Sequence, residues 1–151
     1  MNWLNEIKRD ESKLVQCLNY YEKEYQDSKA KIDQRGNIAS RLADLPGLVE
    51  ENFASLQMLE SILKYFEIRL AKVTAECYKK LKEHYNRELT STDITRYING
   101  EDDVYSYNII VNDIALLRNK FLGIIKGYET QSYNLNTIAR LRQAGLEDAN
   151  F

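Results

Sequence analysis

The apolar and polar positions of the chain fall into a shorter leading series and two long ones. From Asn2 to about Lys31, the residues Leu4, Ile7, Leu14, Cys17, Leu18, Tyr21 and Tyr25 recur largely three or four apart among charged neighbours. That spacing lines one side of a helix, so a first amphipathic helix is predicted, open to interruption near Arg9 to Ser12. After Gly47 the pattern is clearest: Val49, Phe53, Leu56, Leu59, Leu63, Phe66, Leu70, Val73, Cys77, Leu81 and Tyr85. One helix of unusual length is expected there, ending near Arg87. Its narrow stripe must pair lengthwise with something comparably long. The third series supplies the mate: Val104, Tyr107, Val111, Ile114, Leu117, Phe121, Ile124, Tyr128, Leu135, Ile138 and Leu141, weakened around Thr130 to Asn134. Together the two predict a long antiparallel hairpin.

Punctuation between these series sets the expected boundaries. Arg35-Gly36-Asn37 and Asp44-Leu45-Pro46-Gly47 bracket a segment in which Ile38, Leu42 and Leu45 can pack as a helical turn or two, and the bracketed part reads as a connector. Thr90-Ser91-Thr92-Asp93 offers side-chain oxygens to the free N–H groups of a short helix through Ile94, Tyr97 and Ile98, which Asn99-Gly100 should stop. Glu101, Asp102 and Asp103 follow where acids oppose the positive end of the last helix, and the absence of EF-hand spacing favours capping over metal binding. Gly145 should end that helix. The expected organisation is an N-terminal helix and connector over 1–47, a helical hairpin core over 48–145 and a tail over 146–151. The fold class is all-α, a long antiparallel helical hairpin with an additional N-terminal helix, completed by homo-oligomerisation. The same stripes would be buried by pairing within one chain or between chains.

Composition narrows the function classes. In 151 residues Pro46 is the only proline and glycine is scarce, which favours long helices over a turn-rich β fold. A formal net charge of -2 excludes a globally basic coat, so any nucleic-acid contact must come from a local basic surface. Cys17 and Cys77 lie far apart within helical series and lack metal-ligand or CxxC spacing, as buried reduced thiols would. No signal-peptide core opens the chain, and the apolar run Phe121 to Ile125 is closed by Lys120 and Lys126, so a cytoplasmic protein is expected, with no membrane partner. His84 is the only histidine, and phosphate-loop, dinucleotide, HExxH and GxSxG motifs are all absent. No enzyme, no cofactor and no metal site is expected.

Chemistry concentrates in the last turns of the middle helix, Cys77-Tyr78-Lys79-Lys80-Leu81-Lys82-Glu83-His84-Tyr85-Asn86-Arg87. Lys64, Arg69 and Lys72 lead into Lys79, Lys80, Lys82 and Arg87, against only Glu67, Glu76 and Glu83. With Cys77, Leu81 and Tyr85 inward, Lys79, Lys82 and Asn86 face out while Lys80 and Arg87 flank the seam. Single-stranded DNA binders combine such cations, which displace counterions, with rings on which bases stack, and Tyr78, His84 and Tyr85 are near enough to serve. A solvated lysine face favoured by the helix dipole accounts for the same residues without any ligand. Gly123 and Gly127 lie four apart and would admit a neighbouring backbone.

From about Phe53 to Gly145 the order of features resembles the UvsY family of phage recombination mediators. The likeness rests on the helix end Ala75-Glu76-Cys77-Tyr78-Lys79-Lys80-Leu81-Lys82-Glu83-His84-Tyr85, on Asp93-Ile94-Thr95-Arg96-Tyr97-Ile98-Asn99-Gly100-Glu101-Asp102-Asp103-Val104, and on the ending Ile114 to Gly145, with Leu122-Gly123-Ile124-Ile125-Lys126 and Tyr133-Asn134-Leu135-Asn136-Thr137-Ile138. The resemblance implies a non-catalytic homo-oligomer that binds single-stranded DNA and helps load a phage RecA-like recombinase onto DNA covered by the phage single-strand-binding protein, in the host cytoplasm. It places the family's basic and aromatic stretch on Lys79, Lys80, Lys82 and Tyr85, and the basic ridge adds Arg87 to these candidate DNA contacts. It places the family's oligomerising helix on about Leu117 to Leu141, where Leu117, Phe121, Gly123, Ile124, Gly127 and Tyr128 are the candidates for association between copies. Residues before about Pro46 match no pattern of the family, and the family's second basic position falls on Leu81 or Lys82. The alternative is a helical scaffolding or assembly protein that oligomerises without binding nucleic acid.

Overall fold

The computed structural model describes residues 1–84 and 88–145, which form five helices with no strand among them. They are α1 (Trp3–Arg9), α2 (Lys13–Ile32), α3 (Ile38–His84), α4 (Ser91–Gly100) and α5 (Asp102–Gln143). The chain divides into two compact units, one holding Met1–Met58 with the described part of Leu117–Phe151, the other Leu59–Leu116. α3 and α5 each contribute a stretch to both.

In the first unit the expected interruption separates α1 from α2. Asn2 caps α1 by accepting the Asn5 backbone N–H at 3.2 Å. Asp10 then makes the turn: its Oδ1 accepts the Ser12 N–H at 3.0 Å, and hydrogen bonding from Ser12 holds its carboxyl below the ordinary range. Folding back, Trp3 lies against Tyr20 with ring centroids 5.8 Å apart, while Ile7 and Cys17 are wholly buried.

The N-terminal helix belongs to the core of this unit. Tyr21 and Tyr25 of α2 each place a ring 6.1 Å from Phe121 of α5. Lys120 bonds both oxygens of Glu22 at 3.0 Å, and hydrogen bonds from Lys120 and then Gln26 hold that carboxylate below its ordinary range. A helix end leaves carbonyls without partners inside the helix. At the end of α2 two are met from elsewhere, Arg41 Nη2 donating to the Lys31 carbonyl and Gln131 Nε2 to that of Ile32 at 3.0 Å, and one turn earlier the Tyr128 hydroxyl donates to the Ser28 carbonyl.

α3 begins at Ile38, well before Gly47, so most of the predicted connector is helix. Asn37 starts it, its Oδ1 accepting from the Ala39 and Ser40 backbone at 2.9 and 3.3 Å. Pro46 and Gly47 lie inside the helix. A proline there loses a backbone hydrogen bond and crowds the carbonyl four residues back, at a cost of about 3 kcal/mol. Packing overrides that signal. Leu45 is buried with Ile124 and Tyr128, and Leu42, Leu48 and Val49 pack against the same cluster; burial of such side chains is worth roughly 1.5–3 kcal/mol each. The inward stripe also differs from expectation at Phe53, which is 50% exposed. Asn52 takes the inward place and satisfies its amide by donating to the Leu48 carbonyl at 2.7 Å.

The second unit buries Leu59, Ile62, Leu63 and Phe66 of α3, Ile98 of α4, and Val104 and Ile114 of α5. Phe66 meets Tyr65 and Tyr107 at centroid separations of 5.1 and 6.2 Å. Thr90 caps α4 by accepting the Asp93 N–H at 3.2 Å, while its hydroxyl donates to Asp93 Oδ2 at 2.7 Å. Helix α4 runs through Gly100, and Asp102 and Asp103 occupy the first turn of α5 as the sequence suggested. Despite its weak pattern, Thr130 to Asn134 stays helical, with Gln131 committed to Arg41 and to the end of α2. Gly145 follows the last helix at φ 79, a left-handed value that suits glycine, and its N–H reaches the Arg142 carbonyl at 3.1 Å.

Burial separates the two thiols. Cys17 is wholly enclosed and burial pushes it up to about 12, whereas Cys77 is half-buried. Thiolate is the reactive form. Iodoacetamide at neutral pH is therefore expected to alkylate Cys77 first and Cys17 only after denaturation, as read by mass spectrometry of digests. Equal rates in the folded protein would contradict the burial of Cys17.

Candidate nucleic-acid interface

The last described turns of α3 carry Tyr78, Lys79, Lys80, Lys82 and His84, all exposed, with Leu81 and Cys77 turned partly inward. Helical spacing placed Lys79 and Lys82 outward and Leu81 and Cys77 inward, and Lys80, expected to flank the seam, is exposed with them. Tyr85 and Arg87 lie outside the described residues. Lys82 Nζ sits over the Tyr78 ring, 5.4 Å from its centroid, a pairing of cation and π-face worth about 0.5–1 kcal/mol at an exposed site. Lys79 approaches Glu83 at 4.0 Å with both side chains more than half exposed, so this pair neutralises little. Three ammonium groups and one ring thus project from a little over one helical turn.

The lead-in residues divide. Lys64 and Lys72 are exposed, Lys64 standing 3.9 Å from Glu67. Arg69 instead turns toward α5, donating to the Tyr107 hydroxyl at 3.3 Å with its guanidinium 5.9 Å from that ring. The sequence sets it in line with the basic ridge, and the structure uses it, half-buried, between α3 and α5 of the second unit. An aromatic three residues beyond the inward Val104 in the third series was the available signal.

Acids share this neighbourhood. The Cys77 thiol is pushed up first by burial and then by the charges of Glu101 and Asp103, with Lys80 acting in the opposite sense. The start of α5 therefore lies close enough to be felt at the basic turns. Exposed Tyr97 on α4 and Tyr105 on α5, 48% and 60% accessible, add rings that the sequence reading did not single out for ligand contact.

Of the residues expected to join copies, Leu117, Phe121, Ile124 and Tyr128 are buried inside the single chain. Phe121 meets Tyr21 and Tyr25, and Tyr128 meets Ser28. Neither glycine receives a backbone: nothing stands within 4 Å of a Cβ built at Gly123, and at Gly127 the neighbour is Ile32 Cδ1 at 3.1 Å. The exposed apolar positions of α5 lie elsewhere. Tyr105, Ile109 and Leu116, at 60, 42 and 61% exposure, fall four and seven residues apart on one face. This face lies outside the inward series that marks α5 in the sequence.

No family model matches the chain, and no solved structure matches it. Among curated proteins it is similar to a CinA-like protein of Fusobacterium nucleatum subsp. nucleatum, 32% identical over 89 residues. That match covers 57% of this chain and 22% of the relative, so the chain spans a minor part of the protein it matches. Among the described residues no helix is long and apolar enough to cross a membrane.

Proposed function

We propose that this protein is a non-catalytic, homo-oligomeric single-stranded DNA-binding protein that acts as a recombination mediator, helping a RecA-like recombinase load onto DNA held by a single-strand-binding protein. The observation that carries this reading is the exposed set Lys79, Lys80 and Lys82 with Tyr78 at the end of α3. Ammonium groups there displace phosphate counterions, and a ring beside them offers a surface on which any base can stack. Acids at the start of α5 weaken the field of one subunit, so affinity comes from several subunits gripping one strand. The exposed stripe Tyr105, Ile109 and Leu116 supports association between copies. Pairing of the long helices as an antiparallel hairpin is supported inside the first unit, where Arg41 bonds Gln131 while Leu45, further along α3, packs with Tyr128 and Ile124, earlier on α5.

Three phosphate contacts per subunit give a slope of about -2 in log affinity against log salt, so raising salt fourfold should weaken oligo-dT binding about 20-fold per engaged subunit. Fluorescence anisotropy at the two salt concentrations, with light scattering for mass, reads both properties. Salt-independent binding, or a strictly monomeric protein at the concentrations that bind, would contradict the proposal.

The scaffolding reading is favoured by one observation of its own: the exposed apolar stripe on α5 lies in the same unit as the acids flanking the basic turns. Under it the protein oligomerises and ignores oligo-dT at low salt.

A further inference from the structure

Away from the basic turns, the first unit contains a half-open cavity of about 580 Å³ between the start of α3 and the last turns of α5. Its charged lining residues are Arg35, Arg41 and Arg142, and among the described residues no carboxylate lines it. Its apolar lining includes Ile38, Leu135 and Ile138. Like charges facing one concavity repel, and the arrangement becomes favourable when an anion enters between them. Arg41 is held ready: Nε and Nη2 bond Gln131 Oε1 at 3.1 and 2.9 Å, Nη2 also reaches the Lys31 carbonyl, and the guanidinium stands 5.9 Å from the centroid of the Tyr128 ring. None of those bonds uses Nη1. A guanidinium fixed in advance loses little freedom on binding, and its planar fork matches phosphate and carboxylate oxygens.

We infer that this cavity is a binding site for a small organic anion, a phosphate or carboxylate carried on an apolar body. Its anionic head lies among Arg35, Arg41 and Arg142, and its body rests on Ile38, Leu135 and Ile138. The volume falls within the range of small-molecule sites, and a few convergent polar groups over an apolar floor are their usual make-up. A bare inorganic anion would leave the floor in water; a neutral apolar molecule would leave the arginines unpaired. The site is independent of the DNA-binding proposal, which rests on other residues in the other unit.

Calorimetric titration of the full chain with phenyl phosphate, inorganic phosphate and phenol tests it. Phenyl phosphate is expected to bind at least about tenfold more tightly than either of the others, since a hydrogen bond to a charged group is worth about 1.5–3 kcal/mol. Arg142→Glu, on an exposed side chain, should weaken phenyl phosphate by at least about tenfold while leaving the melting temperature unchanged. Equal affinity for phenyl phosphate and inorganic phosphate would overturn the assignment, as would an unaltered affinity in Arg142→Glu. Displacement of phenyl phosphate by oligo-dT would overturn it too, by making the cavity part of a nucleic-acid surface.

Discussion

Tyr128→Ala is expected to destabilise the protein by about 3–5 kcal/mol, the range for removing a fully buried aromatic ring. Tyr128 is wholly inaccessible and sits in a cluster with Leu45 and Ile124, with Tyr25, Ile32, Leu42, Leu48, Val49 and Leu135 packed around it. Its hydroxyl donates to the Ser28 carbonyl and its ring lies beneath Arg41, so α2, α3 and α5 all converge on it. Truncation leaves a cavity under three helices and removes both the hydrogen bond to Ser28 and the ring under Arg41. Tyr128→Phe keeps the ring and loses only the hydroxyl, for which about 1–2 kcal/mol is expected. Urea unfolding of the two variants beside the wild type reads both values. A loss below about 1 kcal/mol for the alanine variant would mean that this cluster does not hold the unit together.

Pro46→Ala should move stability in the other direction, by about 2–3 kcal/mol. Proline inside α3 removes one N–H and crowds the Leu42 carbonyl, and alanine relieves both. Part of the gain, about 0.4–1 kcal/mol, is offset because the variant chain is less restricted when unfolded. Pro46 itself is exposed, so the substitution removes little packing, while Leu45 beside it stays buried. A shift of the urea midpoint to higher concentration at unchanged slope is the expected signature. Destabilisation would show that the local geometry imposed by proline is what aims Leu42, Leu45 and Leu48 at Ile124 and Tyr128.

Pro46 also marks where sequence reasoning reached its limit. A Pro-Gly pair is a local signal for a break, and Leu45, Leu48 and Val49 supply non-local burial that outweighs it; the second quantity cannot be read from neighbours in sequence. Asn52 and Phe53 show the same limit at finer scale. Counting apolar residues sends Phe53 inward, yet an asparagine that bonds the carbonyl of Leu48 fits the buried position. Local chemistry was legible. The caps at Thr90 and Gly145 and the turn at Asp10 depend on residues within a few positions: Thr90 is one of the four candidates at that helix start, Gly145 stands where the last helix was expected to end, and Asp10 falls within the expected interruption.

The site divides along the same line. Exposure of Lys79 and Lys82 followed from helical spacing alone, and Lys80, expected to flank the seam, is exposed as well. The inward turn of Arg69 depends on Tyr107 across the unit, and the convergence of Arg35, Arg41 and Arg142 brings together residues about a hundred positions apart in the chain. Leu117, Phe121, Ile124 and Tyr128 were apolar and helical, which fits an interface between copies as well as a core. Partners on α2 and α3 use them inside one chain, because the first helix joins that core.

The most direct measurement of DNA binding is anisotropy of labelled oligo-dT with three proteins at low salt: wild type, Lys79→Glu/Lys80→Glu/Lys82→Glu, and Arg35→Glu/Arg142→Glu. The two variants alter charge on exposed side chains in different units. Binding by the wild type that is lost in the lysine variant and retained in the arginine variant is the expected result. No binding by a folded wild type, or equal binding by the wild type and the lysine variant, would contradict the assignment of single-stranded DNA to the end of α3.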